Sequence, residues 1–407
     1  YILAGKGTAT DTDLVIPSEY EGKPVTEIKQ KAFYDDDLIT SVTIPDSIKT
    51  IGASAFWSCG ELKTVNVGCG ITKINSNAFQ FCEKLVKVNY AGDTADWCGI
   101  TFGNQYANPL YYGRNLYMEN KLLTEIIIPS TVKTVNQAAF YGCSATALTL
   151  HNKVTTIGNL AFGGCTGLTE IAIPDSVTSL GDTAFRDCSS LKTVSLGNGI
   201  TKLGINVFLN CDKIEYTEHE NALYLGNASN RRLMLVSAKD KDISSCTIDE
   251  NCKFIANDAF RNCTALSEIA IPKNVAIVGE GAFRDCTALK MVTWNATKAT
   301  SITTTFAAAP FKGCSEIDEI VVGENVTAIP KLVFKDSGVK SLTINGSSTT
   351  IAGNAMQNCV NLTCITFKGT TAQWKALAKG ANWNNGTGDY SVQCTDGKLD
   401  KDGNVIE

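Results

Sequence analysis

The chain has 407 residues, of which 44% are hydrophobic, and its formal net charge is −5 with Lys and Arg scattered along the sequence. This composition predicts a folded core and excludes an intrinsically disordered chain. It provides no basic stripe for nucleic acid, and the longest clean apolar run, residues 126–128, is far short of the roughly 20 residues that cross a bilayer. Because the chain begins at Tyr1, we expect a targeting segment to have been removed.

Phenylalanine recurs at one position of a repeat whose dominant period is 23 residues, as between Phe33 and Phe56. The consensus is I-P-x-x-V-x-x-I-G-x-x-A-F-x-x-C-x-x-L-x-x-V-x-I. Methionine takes the phenylalanine position in the last of twelve copies, which carry Phe33, Phe56, Phe79, Phe140, Phe162, Phe185, Phe208, Phe260, Phe283, Phe311, Phe334 and Met356. Regular apolar positions at such a period are typical of a leucine-rich solenoid.

One copy of the repeat predicts one coil with two short strands. The alternating end of L-x-x-V-x-I, as at Val194 and Leu196, predicts a strand that the following Ile-Pro ends. V-x-x-I-G predicts a second extended segment closed by a turn glycine such as Gly181, and A-F-x-x-C an arc back to the next coil. Because one coil cannot bury its apolar side alone, about twelve coils must stack, strand on strand.

The motif resembles that of the BspA-like leucine-rich repeat proteins of bacterial surfaces. The resemblance covers roughly residues 14–397 and extends to the opening segment LVIPSEYEGKPVTEIKQKAF, which is similar to the family's first coil. It implies a β-rich solenoid with short strands and short helical arcs. It also implies a cell-surface or secreted protein, some relatives being adhesins, without shared catalytic residues.

The repeat is interrupted twice at length, which predicts six segments within one continuous solenoid. These are an N-terminal cap with three repeats (1–90), an aromatic-rich insertion (91–125), repeats (126–217), a β-hairpin insertion (218–247), repeats (248–367) and a C-terminal cap (368–407). A five-residue expansion near 303–310 widens one coil. In the C-terminal cap, residues 371–376 predict a short helix with Trp374 inward.

The first insertion is the candidate ligand-binding segment, because insertions can vary where stacked coils cannot. Its candidate contact residues are Trp97, Phe102, Tyr106, Tyr111 and Tyr112. Exposed, these aromatics would form a binding surface; buried, they would make the insertion a packing plug. Its start, YAGDTADW, matches FKGTTAQW near the end of the chain. By contrast, the outward strand positions, such as Thr64 and Thr193, are small and neutral.

Ten of the sixteen cysteines occupy one position of the repeat, three residues after the phenylalanine. Ten equivalent thiols predict a structural column of small buried donors rather than a catalytic or zinc-binding cysteine. The column consists of Cys59, Cys82, Cys143, Cys165, Cys188, Cys211, Cys263, Cys286, Cys314 and Cys359. The sequence leaves open whether Cys98, Cys246, Cys252 or Cys394 form disulfides.

The sequence predicts neither a catalytic site nor a bound metal or cofactor. It contains only two histidines and none of the common nucleotide-binding, hydrolase or zinc-protease motifs. The leading interpretation is therefore a non-catalytic protein that binds a protein or glycan, without nucleic acid or membrane insertion. The alternatives are a structural spacer that displays another domain and a glycan hydrolase, for which no paired-carboxylate cleft is predicted.

Overall fold

The computed structural model describes residues 1–7, 10–299, 301–302 and 309–407. The chain forms two compact units, Tyr1–Glu215 and Tyr216–Glu407. The expansion expected near residues 303–310 lies largely outside the described residues.

The first unit contains two sets of strands: one of mostly three- and four-residue strands, called the longer strands, and one of two-residue strands, called the shorter strands. The longer strands are Asp13–Val15, Ser41–Ile44, Thr64–Val67, Lys87–Tyr90, Leu116–Met118, Lys121–Leu122, Glu125–Ile127, Ala147–Thr149, Glu170–Ala172 and Thr193–Ser195. The shorter strands are Ile2–Leu3, Glu27–Ile28, Thr50–Ile51, Lys73–Ile74, Thr101–Phe102, Thr134–Val135, Thr156–Ile157, Ser179–Leu180 and Lys202–Leu203. A separate hairpin pairs Glu19–Tyr20 with Lys23–Pro24.

The second unit repeats this plan. Its longer strands are Glu268–Ile271, Met291–Trp294, Glu319–Val322, Ser341–Ile344, Cys364–Phe367, Ser391–Gln393, Lys398–Leu399 and Val405–Ile406. The other ladder begins with three antiparallel strands, Thr217–His219, Ala222–Leu225 and Met234–Ala238. It continues through Phe254–Ile255, Ile277–Val278 and Ser301–Ile302. A separate pair is formed by Ala328–Ile329 and Thr350–Ile351.

Helices are few and short in the described chain. They are α1 (Thr94–Gly99), α2 (Leu110–Gly113), α3 (Thr371–Ala376) and a 3-10 turn at Gln105–Ala107. The two similar sequence segments fold alike: α1 and α3 each bury a tryptophan, Trp97 and Trp374. Side chains cap both helices, since Asp93 accepts the N–H of Asp96 and Thr370 accepts that of Gln373.

Parallel pairing between successive coils confirms the predicted solenoid. The strands Ser41–Ile44 and Thr64–Val67 pair in register and alternate half-buried with buried residues. Inside the coils the phenylalanine rings stack on one another, with centroids 5.0 Å apart for Phe33 and Phe56 and 5.3 Å for Phe162 and Phe185. This stacked apolar column is what a single coil could not bury alone.

Glycine recurs in the I-G pair of the repeat for a reason other than the predicted turn. Gly181 does not have a positive φ. A Cβ atom at Gly181 would lie 2.5 Å from the backbone nitrogen of Asn159 in the preceding coil. Glycine is therefore required because two backbones approach closely, whereas the left-handed residues lie in the arc, as at Asp187 with φ 60°.

The described chain contains more coils than the twelve predicted. In a regular coil the N–H of phenylalanine donates to the residue before the next phenylalanine, as Phe56 does to Ala78. Phe79 donates in this way to Tyr106, Ala238 to Ala259 and Met356 to Trp383. Three further coils therefore have Ala107, Ala238 and Asn384 at the phenylalanine position, and both long insertions contribute to the stack.

Candidate functional site

Two of the five candidate binding residues belong to the core. Trp97 and Phe102 are 0% and 2% exposed. The indole N–H of Trp97 donates to the carbonyl of Ala139 at 2.6 Å, and its ring packs edge-on against Tyr90. These two side chains hold the insertion onto the neighbouring coils, so they offer no contact surface to a ligand.

Three of the four tyrosines of the insertion lie at the surface and contact one another. Tyr106, Tyr111 and Tyr112 are half-buried, and the ring of Tyr111 lies 4.7 Å from each of the other two. A fourth ring, Tyr141 from the next coil, stacks on Tyr111 at 5.4 Å. The insertion thus contributes these three tyrosines to a cluster that includes the regular repeat.

The cluster continues along the arcs of the first three coils. Tyr34 stacks on Trp57 at 6.0 Å, and Trp57 contacts Phe81 edge-on at 4.9 Å. The backbone N–H of Phe81 then donates to the hydroxyl of Tyr112 at 3.1 Å. We call this connected row of seven side chains the aromatic band: Tyr34, Trp57, Phe81, Tyr112, Tyr111, Tyr106 and Tyr141.

Phe81 occupies a backbone position that disfavours phenylalanine. Its φ is 64°, and the equivalent residues of other coils include Asp35, Ser58 and Asn210. An ordinary side chain in the left-handed region costs about 1–2 kcal/mol, and such strain is found most often at functional positions. The ring is nevertheless 45% exposed. The strain is therefore not explained by burial of the side chain.

Burial raises the pKa values of three tyrosines of the band. It raises the pKa of Tyr111 to about 12, with its hydrogen bond to Tyr106 as the next cause, and it also raises the pKa values of Tyr112 and Tyr141. These three tyrosines therefore present aromatic faces and neutral hydroxyl groups at physiological pH. Rings with a polar end are favoured at protein interfaces because they combine a large apolar area with hydrogen bonding.

The repeated cysteines bond backbone in the preceding coil. Cys188 Sγ donates to the carbonyl of Phe162 at 3.3 Å, and Cys286 Sγ to that of Phe260 at 3.0 Å. Eight of the ten thiols, all within the described residues, make this contact with a phenylalanine carbonyl: Cys59, Cys82, Cys165, Cys188, Cys211, Cys286, Cys314 and Cys359. The other two, Cys143 and Cys263, follow the coils of Ala107 and Ala238.

Burial makes several of these thiols poor nucleophiles, Cys143 and Cys165 among them. It raises the pKa of Cys143 to about 11 and that of Cys165 well above its usual range. A thiol reacts as the thiolate, so protonated buried cysteines are inert. All sixteen cysteines lie within the described residues and are free, and no group of three or more His, Cys, Asp or Glu in the described chain could hold a metal ion.

A groove of about 560 Å³ crosses the strand face of the first unit. Thr43, Asn66 and Asn89 occupy paired positions of adjacent strands, and Tyr117 follows them in register. The hairpin turn of Glu119 and Asn120, with φ of 49° and 61°, borders one end. We call this feature the strand-face groove; the insertion supplies the residues at that end.

The second unit has a larger groove of about 710 Å³. Glu250, Lys273 and Glu324 line it together with asparagines of successive coils. Asn274 donates to the carbonyl of Glu250 at 2.8 Å, and Lys298 donates to Asn274 at 3.4 Å. The amide nitrogen and oxygen of Asn274 thus both have partners within the protein.

Stacked coils of about 23 residues, joined by parallel strands and a thiol column, define a leucine-rich repeat solenoid. The family model described as the BspA type leucine rich repeat region matches six copies, over residues 13–106, 112–229 and 238–363. The chain therefore belongs to this family, which confirms the resemblance in the repeat motif. No curated protein matches the chain.

Several solved structures are similar to the chain. A leucine rich cell surface protein from Faecalibacterium prausnitzii A2-165 is 26% identical, with 91% of each chain covered and a TM-score of 0.38. A leucine-rich repeat protein from Bacteroides ovatus ATCC 8483 is 20% identical, with 92% of this chain and 84% of that one covered and a TM-score of 0.41. The pneumococcal vaccine antigen PcpA is 15% identical, with 95% of this chain and 91% of that one covered and a TM-score of 0.32.

Reading the repeat by columns could have found the rest of the band. Tyr34, Trp57 and Tyr141 each follow the repeat phenylalanine directly, and Phe81 follows one residue later. The local density of aromatic residues in the sequence points only to the insertion and does not reveal these four. Residues 23 positions apart are neighbours in a solenoid, which a linear density cannot show.

Proposed function

We propose that this chain is a non-catalytic binding protein, secreted or held at a bacterial surface, that attaches to a protein or glycan through the aromatic band. The observation that carries this proposal is a surface row of exposed and half-buried aromatic side chains, one of which, Phe81, is held in a strained backbone conformation. Aromatic anchors dominate the binding energy of many interfaces. A surface location is what the family resemblance implies, and no helix in the described residues has the length and apolarity to cross a bilayer.

The test is binding of the purified chain to collagen, laminin, mucin and a glycan array, with band variants compared. Trp57→Ser and Phe81→Asn should each weaken saturable binding at least tenfold. Tyr20→Ser is the matched control, because Tyr20 is 58% exposed and lies outside the band. Every variant must first show the circular dichroism spectrum of the parent chain.

Phe81→Asn also separates a binding role from a structural one. Asparagine tolerates the left-handed region, so relief of strain offsets the lost contact with Trp57, which is worth about 0.5–1.5 kcal/mol. We expect the melting temperature to stay the same or rise while binding falls. A fall in both would make Phe81 a structural residue and contradict its role in the band.

Absence of binding across the whole panel would favour the spacer. The insertion supports this second candidate in one respect: Trp97 and Phe102 are buried, so part of the insertion serves the stack.

A further inference from the structure

The floor of the strand-face groove is a directed chain of side-chain hydrogen bonds. Asn89 Nδ2 donates to Asn66 Oδ1 at 2.6 Å, and Asn66 Nδ2 donates to Thr43 Oγ1 at 3.0 Å. The chain of bonds leaves Asn89 Oδ1, next to Tyr117 in the ladder, without a donor. One end of the chain is therefore an unpaired acceptor.

Unpaired polar atoms concentrate at this groove. Among the described residues, seven buried side-chain nitrogen or oxygen atoms have no hydrogen-bond partner. Three of them belong to residues that line the groove, namely Ser47 Oγ, Asn89 Oδ1 and Tyr90 Oη. Tyr90 is only 2% exposed. Buried polar groups are normally paired, so three in one place require an explanation.

The charges of the groove select against an anionic ligand. Of the described residues that line it, Asp46 and Glu119 are carboxylates and none is Lys, Arg or His. Both carboxylates are exposed at the rim, where they repel anions and accept hydrogen bonds from hydroxyl groups. Lys87 is directed to the ring of Tyr117, with its Nζ 4.7 Å from the ring centre.

The groove offers side chains and not backbone to a ligand. The strands below it, Ser41–Ile44, Thr64–Val67 and Lys87–Tyr90, all pair with neighbours on both sides, so they cannot accept a peptide as an added strand. Recognition must come from amide and hydroxyl groups, with Tyr117 as an aromatic face. Such a surface matches a ligand that carries many hydroxyl groups and no charge.

From these contacts we infer that the strand-face groove binds a neutral oligosaccharide. Ligand hydroxyl groups would donate to Asn89 Oδ1 and pair with Ser47 and Tyr90. All three atoms are buried, so binding requires a movement of the groove surface. Half-buried Tyr117 is paired with Asn89 in the ladder and is the side chain expected to move. This site is separate from the aromatic band and does not depend on it.

The test is calorimetric titration of the full chain with neutral pentasaccharides of β-1,4-glucose, α-1,4-glucose, β-1,4-mannose and β-1,4-N-acetylglucosamine. Pentagalacturonate and pentalysine serve as the anionic and cationic probes. We expect saturable binding of at least one neutral pentasaccharide, weakened at least fivefold by Asn89→Ala and by Tyr90→Phe. Tyr90→Phe should at the same time raise the melting temperature, because it removes an unpaired buried hydroxyl group.

Tyr224→Phe in the second unit is the matched control. The Tyr224 hydroxyl is also buried, but it accepts the N–H of Asp249 at 3.2 Å. Its removal should lower the melting temperature and leave the affinity for the saccharide unchanged. Trp57→Ser, in the aromatic band, should also leave this affinity unchanged. The inference is overturned if no neutral pentasaccharide binds, if a charged probe binds more tightly, if Asn89→Ala and Tyr90→Phe leave the affinity unchanged, or if Trp57→Ser abolishes it.

Discussion

At the scale of single residues, the repeated cysteine and phenylalanine form one unit that spans two coils. The thiol of each regular coil donates to the phenylalanine carbonyl of the coil before it, as Cys188 does to Phe162. The serine that replaces cysteine at Ser337 donates instead to Phe334 of its own coil. Cysteine thus donates a buried hydrogen bond to the preceding coil, whereas Ser337 donates to a carbonyl of its own coil.

Removing one such donor should destabilise the first unit. Cys188→Ala removes the thiol donor to the carbonyl of Phe162, which keeps the bond from the backbone N–H of Cys165, and we expect a loss of about 0.5–1.5 kcal/mol in the free energy of unfolding. Urea denaturation followed by circular dichroism measures it. Cys69→Ala is the control, because Cys69 is exposed and outside the column; equal losses in the two variants would contradict the role of the bond.

The buried thiols also predict the alkaline limit of the fold. Burial raises the pKa of Cys143 and of Cys359 to about 11, against about 8.5 for a free thiol. The folded state therefore holds these protons more tightly, so their contribution is fully present below about pH 8.5 and is lost as the pH rises to about 11. The melting temperature should be level from pH 6 to 8 and fall above pH 9. Cys143→Ala should reduce the slope, and a level profile to pH 11 would exclude the effect.

At the scale of elements, the first insertion is both a coil and a source of surface. Helix α1 and the strand Thr101–Phe102 continue the stack, while the hairpin beyond Leu116–Met118 borders the strand-face groove. Between them α2 carries Tyr111 and Tyr112 into the aromatic band. The segment could be recognised from sequence by its aromatic residues, but their division into buried and exposed sets depends on the coil geometry.

This division gives a prediction for two aromatic substitutions in one segment. Trp97→Ala removes a fully buried ring and its bond to Ala139, and should cost about 3–5 kcal/mol of stability. Tyr106→Ser, at a half-buried ring of the band, should cost less than about 1.5 kcal/mol. Thermal unfolding of both variants measures the two losses of stability. Similar losses would mean that the insertion is packed throughout.

At the scale of the whole molecule, the sequence predicts the repeat architecture correctly but gives too few coils. The period of 23 is visible because phenylalanine and cysteine recur in regular coils such as that of Phe185 and Cys188. The coils of Ala107, Ala238 and Asn384 lack those markers and are joined to the stack through backbone hydrogen bonds, which any residue can make. The groove was missed because its unpaired atoms are a property of packing and not of composition.

Stacking through neighbours alone predicts that the first unit accepts another coil. Duplicating residues 173–195 adds one period of 23 and repeats the contacts between Phe162 and Phe185. We expect a folded product with more strand by circular dichroism and a larger dependence of unfolding on urea. Duplicating residues 174–193 adds 20 residues and shifts the register; if both products melt alike, the period does not govern the stack.

The thiol column has a further consequence for how the protein fails. While the coils are stacked, all ten cysteines of the column are buried, so they are shielded from oxidants in solution. Unfolding releases many equivalent thiols at once, with ordinary acidity and close together along one chain. In an oxidising medium these thiols would form disulfides, which the folded chain does not contain, faster than the coils could restack. The lifetime of this protein outside a cell would then be set by its unfolding rate, that is, by its kinetic stability.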